Sequence, residues 1–547
     1  MSVFYRRLLL ACLITITAGL AACSQSSDET AVAPEVAGTP AAEQDSLVAT
    51  TQYGKVRGME EDGVKVFKGI RYGADTATTR FMAPKAPEAW EGIKDAMAYG
   101  NSTRQIPTGS GGGLFDSWRP DPVPPLSEDC LFLNVWTPEL RDGGKRPVMV
   151  WFHGGGFTSG NGSSNAYDGV RLANRGDVVV VTVNHRLNIF GYTYLGDYGD
   201  QFADSGVAGQ LDLIHSLKWV RDNIEEFGGD PDNVLIFGES GGGAKVSVLM
   251  GMSAAEGLFH RAVIQSGPTI TLRDTKAVAE GVQGLVAKLG LTAETIDQIR
   301  TMPAEKIEQA AWALAEEGSP TGWSGPVLDG KNITRHPFTP DAAPYAADVP
   351  LLIGTTRTEY SLLTGSRRPE LFDLSYEELP AALSPTAQNK DTAHIVAEYR
   401  RLQPDYTAPE LFFTATTDAG FLNRSIELAD RKAEQAGAPV YFYSLWWNTP
   451  VDGGKWMAPH ALEIGMVFDN VAKSESMSGI GPEQQKIADE MSEAWLAFAK
   501  TGNPNHAGIP EWPAYSPDNR AMMIFNNETS VMIDPHGEQR QLFLDDE

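Results

Sequence analysis

Residues 238–242 read Gly-Glu-Ser-Gly-Gly, a G-x-S-x-G pattern centred on Ser240. A serine hydroxyl is a weak nucleophile until a base removes its proton, and its attack on a carbonyl builds negative charge that needs donors nearby. The pattern suits that chemistry when an apolar strand precedes it and a helix follows. Here Val234-Leu235-Ile236-Phe237 precedes it and a helix-compatible segment follows. So tight a turn crowds the serine's neighbours, and glycine two positions away on either side relieves the clash. The turn also lifts Oγ clear of the sheet, beside the free N–H groups that open the next helix. Upstream, Val150-Trp151-Phe152 runs into His153-Gly154-Gly155-Gly156-Phe157. Such a loop can aim backbone N–H groups into a cleft as an oxyanion hole. Alone it reads equally as a glycine-rich turn after a strand; together with the serine turn it is specific.

The order expected around a serine turn of this kind is Ser, acid, His. Of nine histidines, His260, His336, His394, His460, His506 and His536 lie after Ser240. His460 follows the apolar run Val440–Leu445 by a loop, where a catalytic base belongs. His460 and Glu463 also stand at i, i+3, but no H-E-x-x-H and no cysteine pair accompanies them, so no metal is expected; acyl transfer through a serine, a histidine and an acid needs no cofactor. The acid should sit between, at the end of a strand. Pro350-Leu351-Leu352-Ile353 leads to Glu359, whose carboxylate would accept the imidazole Nδ1–H and fix its tautomer. The residues alone read Glu359 more readily as a surface glutamate.

These groups need a rigid frame. Candidate strands are Leu131–Trp136, Val148–Phe152, Val178–Val183, Val234–Phe237, Ala262–Gln265, Leu351–Ile353 and Val440–Leu445. Several are unbroken apolar runs, the mark of strands buried on both faces, and they predict an α/β fold with a large, mostly parallel sheet flanked by helices. Leu211, Ile214, Leu217, Val220, Ile224 and Phe227 recur at helical spacing, and Gly228, Gly229 and Pro231 close that helix. Residues 108–125 predict a long surface loop. No internal repeat, composition shift or second transmembrane stretch interrupts the body, 46–547, read as one domain.

The 547 residues carry a net charge of −27, which disfavours nucleic acid and anionic lipid as partners and favours neutral or cationic ligands. Arg6 and Arg7 precede an apolar stretch, 8–19, too short to span a bilayer comfortably. Leu20-Ala21-Ala22-Cys23 resembles the lipobox of bacterial lipoproteins. The resemblance implies a signal peptide over 1–22, a lipid on Cys23 and export to the cell envelope, with Ser24 pointing to the outer membrane. Residues 24–45 lack aromatics and are rich in Ala, Ser, Glu and Pro, as expected of a disordered tether. With Cys12 removed and Cys23 acylated, Cys130 has no partner, so no disulfide is expected.

Together these residues resemble the type-B carboxylesterase family, the cholinesterase-like α/β-hydrolases. Its signatures run in order: Phe67-Lys68-Gly69-Ile70-Arg71-Tyr72, Ser127-Glu128-Asp129-Cys130-Leu131-Phe132-Leu133-Asn134, the glycine loop at 153–157, Val183-Asn184-His185-Arg186-Leu187, Trp219–Ile224 with Phe227–Pro231, the serine turn, Gln265-Ser266-Gly267, and Thr501–Asn505 with Trp512-Pro513. The resemblance implies an α/β-hydrolase fold with helical insertions and hydrolysis of a small-molecule ester through an acyl-enzyme. Ser240 would be the nucleophile, Glu359 the acid and His460 the base, with the N–H groups of Gly155, Gly156 and Gly241 as the oxyanion hole. Four positions depart from the family pattern. Thr103 stands where a cysteine usually pairs with Cys130. Gly241 replaces the usual Ala. Thr356-Arg357-Thr358-Glu359-Tyr360 replaces Asn-Lys-Asp-Glu-Gly. Trp118 lies farther from Cys130 than the family's cation-binding tryptophan does, and is expected only to line the mouth. Pocket walls are expected from 101–125 and 274–315. The alternatives are a lipid-anchored binding protein on the same fold, or a hydrolase of a carbamate, lactone or natural-product ester.

Overall fold

The unbroken apolar runs become the centre of an eleven-stranded sheet. The computed structural model describes residues 46–105 and 113–544. The chain divides into Met1–Gln44 and Asp45–Glu547, and the described residues all belong to the second unit. Cys23 and its tether therefore lie outside the described residues. The sheet strands are β1 (Met59–Glu61), β2 (Val64–Arg71), β3 (Phe132–Thr137), β4 (Arg146–Phe152), β5 (Val179–Val183), β6 (Gly229–Glu239), β7 (Arg261–Gln265), β8 (Leu351–Thr356), β9 (Val440–Leu445), β10 (Ala521–Phe525) and β11 (Ser530–Ile533). Their spatial order is β11-β10-β9-β8-β7-β6-β4-β5-β3-β2-β1. From β10 to β5 every neighbouring pair is parallel, while β1–β3 and β11 add antiparallel pairs at the two edges.

Alternate residues of a strand face opposite sides of the sheet. Val148, Val150, Val179, Val181, Ile236 and Ile264 enter one apolar cluster. Their neighbours Met149, Trp151, Val180, Leu235, Phe237 and Val263 enter another. Both faces are covered, so these strands need no polar alternation. The helix read from 211–227 runs as α1 (Ala208–Asn223), with Ile224–Phe227 tightening into a 3-10 turn. Gly228, at φ 71°, turns the chain into β6. After β6 comes the serine turn and then α2 (Gly241–Met250). In 274–315 two helices form, Thr275–Lys288 and Ala304–Glu316.

The loop 108–125 is less open than the sequence suggested. Residues 106–112 lie outside the described residues, but Asp116–Trp118 forms a 3-10 turn. Trp118 is buried in the core, its ring 4.9 Å from Phe115. Thr103 fills the place of a missing cysteine: it lies 2.9 Å from the buried, free Cys130 thiol and donates to the His185 carbonyl at 3.0 Å. Among the described residues no helix is long and apolar enough to cross a membrane, and no group of His, Cys, Asp and Glu is arranged to hold a metal ion.

Candidate active site

Ser240 sits between β6 and α2 at φ 56°, ψ −120°, a conformation costly for a residue with a Cβ and held only where its surroundings dictate it. They do so here. Ser240 N–H donates to the Gln265 carbonyl at 2.8 Å, and the Ser240 carbonyl accepts from Ala244 N–H at 2.9 Å. A Cβ on Gly238 would come 2.5 Å from the Phe152 carbonyl oxygen, and one on Gly242 1.9 Å from the same atom. The flanking glycines are thus required by the close passage of β4.

Gly241 is required as well. A Cβ there would lie 2.1 Å from the Gly156 oxygen and 2.4 Å from its Cα, so the alanine usual in the family does not fit this backbone. The 153–157 loop lies directly on the start of α2. A Cβ on Gly154 would come 3.5 Å from Ser240 Cβ, which puts the loop beside the serine. Gly155 and Gly156 take positive φ, 86° and 61°, and are exposed. Among the described residues neither has an acceptor for its N–H.

Glu359 and His460 are brought together, though 101 residues apart. His460 Nδ1 lies 2.5 Å from Glu359 Oε2. The other oxygen, Oε1, accepts from Ser266 Oγ at 2.6 Å and from Thr356 N–H at 2.9 Å. Thr358 bolts the two segments together. Its N–H and hydroxyl both donate to the Ala458 carbonyl, at 3.1 and 2.9 Å, and its Oγ1 accepts from Ala458 N–H at 3.0 Å. Both Glu359 and His460 are buried. The unusual sequence around Glu359 therefore supplies the fastening that aligns it.

His460 Nε2 makes no hydrogen bond, to Ser240 or to any other described residue. It lies 3.1 Å from Glu239 Oε1 without hydrogen-bond alignment. Catalytic hydrogen bonds often close only once substrate is bound. Three buried carboxyls surround this imidazole: Glu359, Glu239 and Glu463. Burial, reinforced by Glu463 and Glu359, lifts the Glu239 carboxyl well above its ordinary range. Burial opposes charge on His460, but the carboxylates outweigh it and its pKa is raised. A protonated Glu239 does not pull on the imidazole. Full burial beside two other carboxyls decides for a neutral Glu239. Glu359, in contact with Nδ1, is then the carboxylate that favours charge on His460.

Of the other late histidines, His536 pairs with Asp418 at 3.2 Å. The sequence reading missed Glu239, Ser266 as a Glu359 partner, and Phe421, whose ring lies 5.4 Å from His460 on a π-helical turn, Asp418–Leu422. Glu239 could have been suspected from its place beside Ser240; Phe421 offered no signal.

A strained serine between parallel strand and helix, a glycine loop laid beside it, and a Glu–His pair carried on the segments that follow β8 and β9 define an α/β-hydrolase. The sequence profile of the Carboxylesterase family matches residues 45–543. The chain is 38% identical to para-nitrobenzyl esterase of Bacillus subtilis over 501 residues, 90% of this chain and 98% of that protein. It is 31% identical to phenmedipham hydrolase of Pseudarthrobacter oxydans, over 88% of this chain and 95% of the relative. A crystal structure of a Geobacillus stearothermophilus carboxylesterase superposes with a TM-score of 0.77 at 37% identity, covering 91% of this chain and all of that one. The chain belongs to the type-B carboxylesterase family and is a carboxylesterase.

Proposed function

We propose that this carboxylesterase cleaves small-to-medium carboxylic esters through Ser240, His460 and Glu359. His460 takes the Ser240 proton as Oγ attacks the ester carbonyl. Glu359 holds Nδ1–H and steadies the imidazolium. The N–H groups of Gly155, Gly156 and Gly241 receive the oxyanion. The alcohol leaves with the proton from His460, and water cleaves the acyl-enzyme by the same route. The observation that carries this reading is the 2.5 Å contact between His460 and Glu359, which leaves Nε2 unpartnered. The name of the para-nitrobenzyl esterase relative supports a compact ester as substrate. The binding-protein alternative needs no strained serine and no Glu–His pair, and nothing in the site favours it.

The test is hydrolysis of p-nitrophenyl butyrate by the purified chain beside Ser240→Ala. Losing the nucleophile of a triad costs on the order of a millionfold in turnover, so the variant is expected to be inert. A Ser240→Ala variant as active as the parent refutes the assignment. We further propose that Cys23 carries a lipid that anchors the enzyme in the cell envelope, a reading supported by the charged, apolar and small-residue order of 1–23. Metabolic labelling with an alkynyl fatty acid should mark the wild-type chain and not Cys23→Ser; equal labelling of both overturns it.

A further inference from the structure

Lys245 lies five residues after Ser240, on α2, with no exposed surface. Burial pulls its pKa down to about 7, against the pull of Glu239. Among the described residues it forms no ion pair. Its Nζ donates instead to two backbone carbonyls, His153 at 2.9 Å and Gly156 at 2.8 Å, with the Phe157 ring 5.6 Å away. A buried ammonium without a carboxylate is costly, so its placement calls for a reason. The two carbonyls supply one. The peptide groups 153–154 and 156–157 are held by Lys245; the two between them carry the N–H groups of Gly155 and Gly156. A run of three glycines has no side chain with which to fix itself. The clamp also draws the Gly156 oxygen onto α2, where only a glycine at 241 leaves room.

We propose that Lys245 is a positioning residue for oxyanion binding: it ties the helix that follows the nucleophile to both ends of the glycine loop, so that the Gly155 and Gly156 N–H groups and Ser240 keep one spacing. This rests on the triad reading above. It assigns a shared purpose to Lys245 and Gly241, the first pulling the loop in and the second making space for it.

The test compares Lys245→Met, of similar length but without a donor, with the full wild-type chain. Turnover of p-nitrophenyl butyrate should fall about a hundredfold, the scale of losing one oxyanion donor, with KM within about threefold. The second readout is a trifluoromethyl ketone. Ser240 Oγ bonds to its carbonyl carbon, the carbonyl electron pair moves to oxygen, and the serine proton passes to His460. Its affinity should fall in parallel with turnover, while the non-fluorinated methyl ketone, which stays planar, binds as before. A general structural defect would weaken both ketones alike. If Lys245→Met does not fold, Gly241→Ala decides by the same readouts, because its Cβ pushes the loop off from the other side. A folded Lys245→Met with turnover within about threefold of wild type, or with the loss confined to KM, overturns the proposal. Failure of the triad reading is distinct: there, wild type is inert or Ser240→Ala stays active.

Discussion

Replacing Glu359 by Gln exchanges one oxygen for an NH2 and should disable the proposed base, His460, without disturbing the fold. Glu359 Oε1 accepts from two donors, Ser266 Oγ–H and Thr356 N–H. The backbone N–H cannot turn away, so the amide of the variant must place its oxygen there. Its NH2 then faces His460 Nδ1, 2.5 Å away in the parent. Two N–H groups cannot point at each other. Nδ1 must become an acceptor, and the imidazole proton moves to Nε2, the atom that has to receive the proton of Ser240. The imidazole stays in place in the wrong tautomer. A change of this kind in a serine triad costs about 10⁴ in turnover, or about 5.4 kcal/mol of barrier at 1.36 kcal/mol per factor of ten. The assay is steady-state hydrolysis of p-nitrophenyl butyrate, with circular dichroism to confirm folding. A folded Glu359→Gln with more than about a tenth of parental turnover refutes the tautomer argument. One rescue is visible in the structure: Glu463, buried with Oε2 unpartnered and Oε1 accepting from Tyr443 at 3.2 Å. If Glu463 substitutes in part, the residual turnover of Glu359→Gln, still below that tenth, is lost in the double variant Glu359→Gln, Glu463→Gln.

Because His460 must be neutral to act and its pKa is raised, kcat/KM should fall with decreasing pH through a midpoint above about 6.5, the unperturbed histidine value; a profile flat down to pH 5 removes His460 as the base. Asp212 and Arg186 form a buried pair, with Nη2–Oδ1 at 2.6 Å and Nε–Oδ2 at 2.8 Å. Asp212→Ala, which strands the guanidinium, should cost about 3–5 kcal/mol in urea unfolding, and a loss below about 1 kcal/mol contradicts the pairing. Cys130, its thiol pushed up to about 12 by burial, should resist Ellman's reagent in the native enzyme and react fully in guanidinium; rapid native labelling would show the site to be open.

What could be read in advance was local. The unbroken run Val234–Phe237 announced a strand covered on both faces, because apolar residues at successive positions leave no side for water, and β6 lies mid-sheet for that reason. The serine turn was legible because its glycines answer to clashes within a few residues. Glu359 was not legible from its own segment: its meaning comes from Ser266, Thr356 and His460, and the fastening through Thr358 and Ala458 spans 100 residues. Lys245 was opaque for the opposite reason, since a lysine in a helix reads as a solvated charge until the helix is seen to have no solvent side.

The same distinction bears on how the site handles charge. Three buried glutamates around one imidazole cannot all be ionised, because each added charge raises the cost of the next. On the proposed mechanism, a neutral Glu239 leaves Glu359 to support the imidazolium formed during attack. Lys245, whose charge acts on Glu239, is spent on the carbonyls of the glycine loop and forms no ion pair with any of the three glutamates. On the proposed mechanism, positive charge in this site fixes the shape of the backbone that receives the oxyanion, while negative charge governs the base. If that division holds, Glu239→Gln, which keeps the shape and forbids ionisation, should leave the acid limb of kcat/KM where it stands in the parent. A limb displaced downward by a full pH unit would mean that Glu239 is charged in the working enzyme and that the imidazole is held up by two carboxylates.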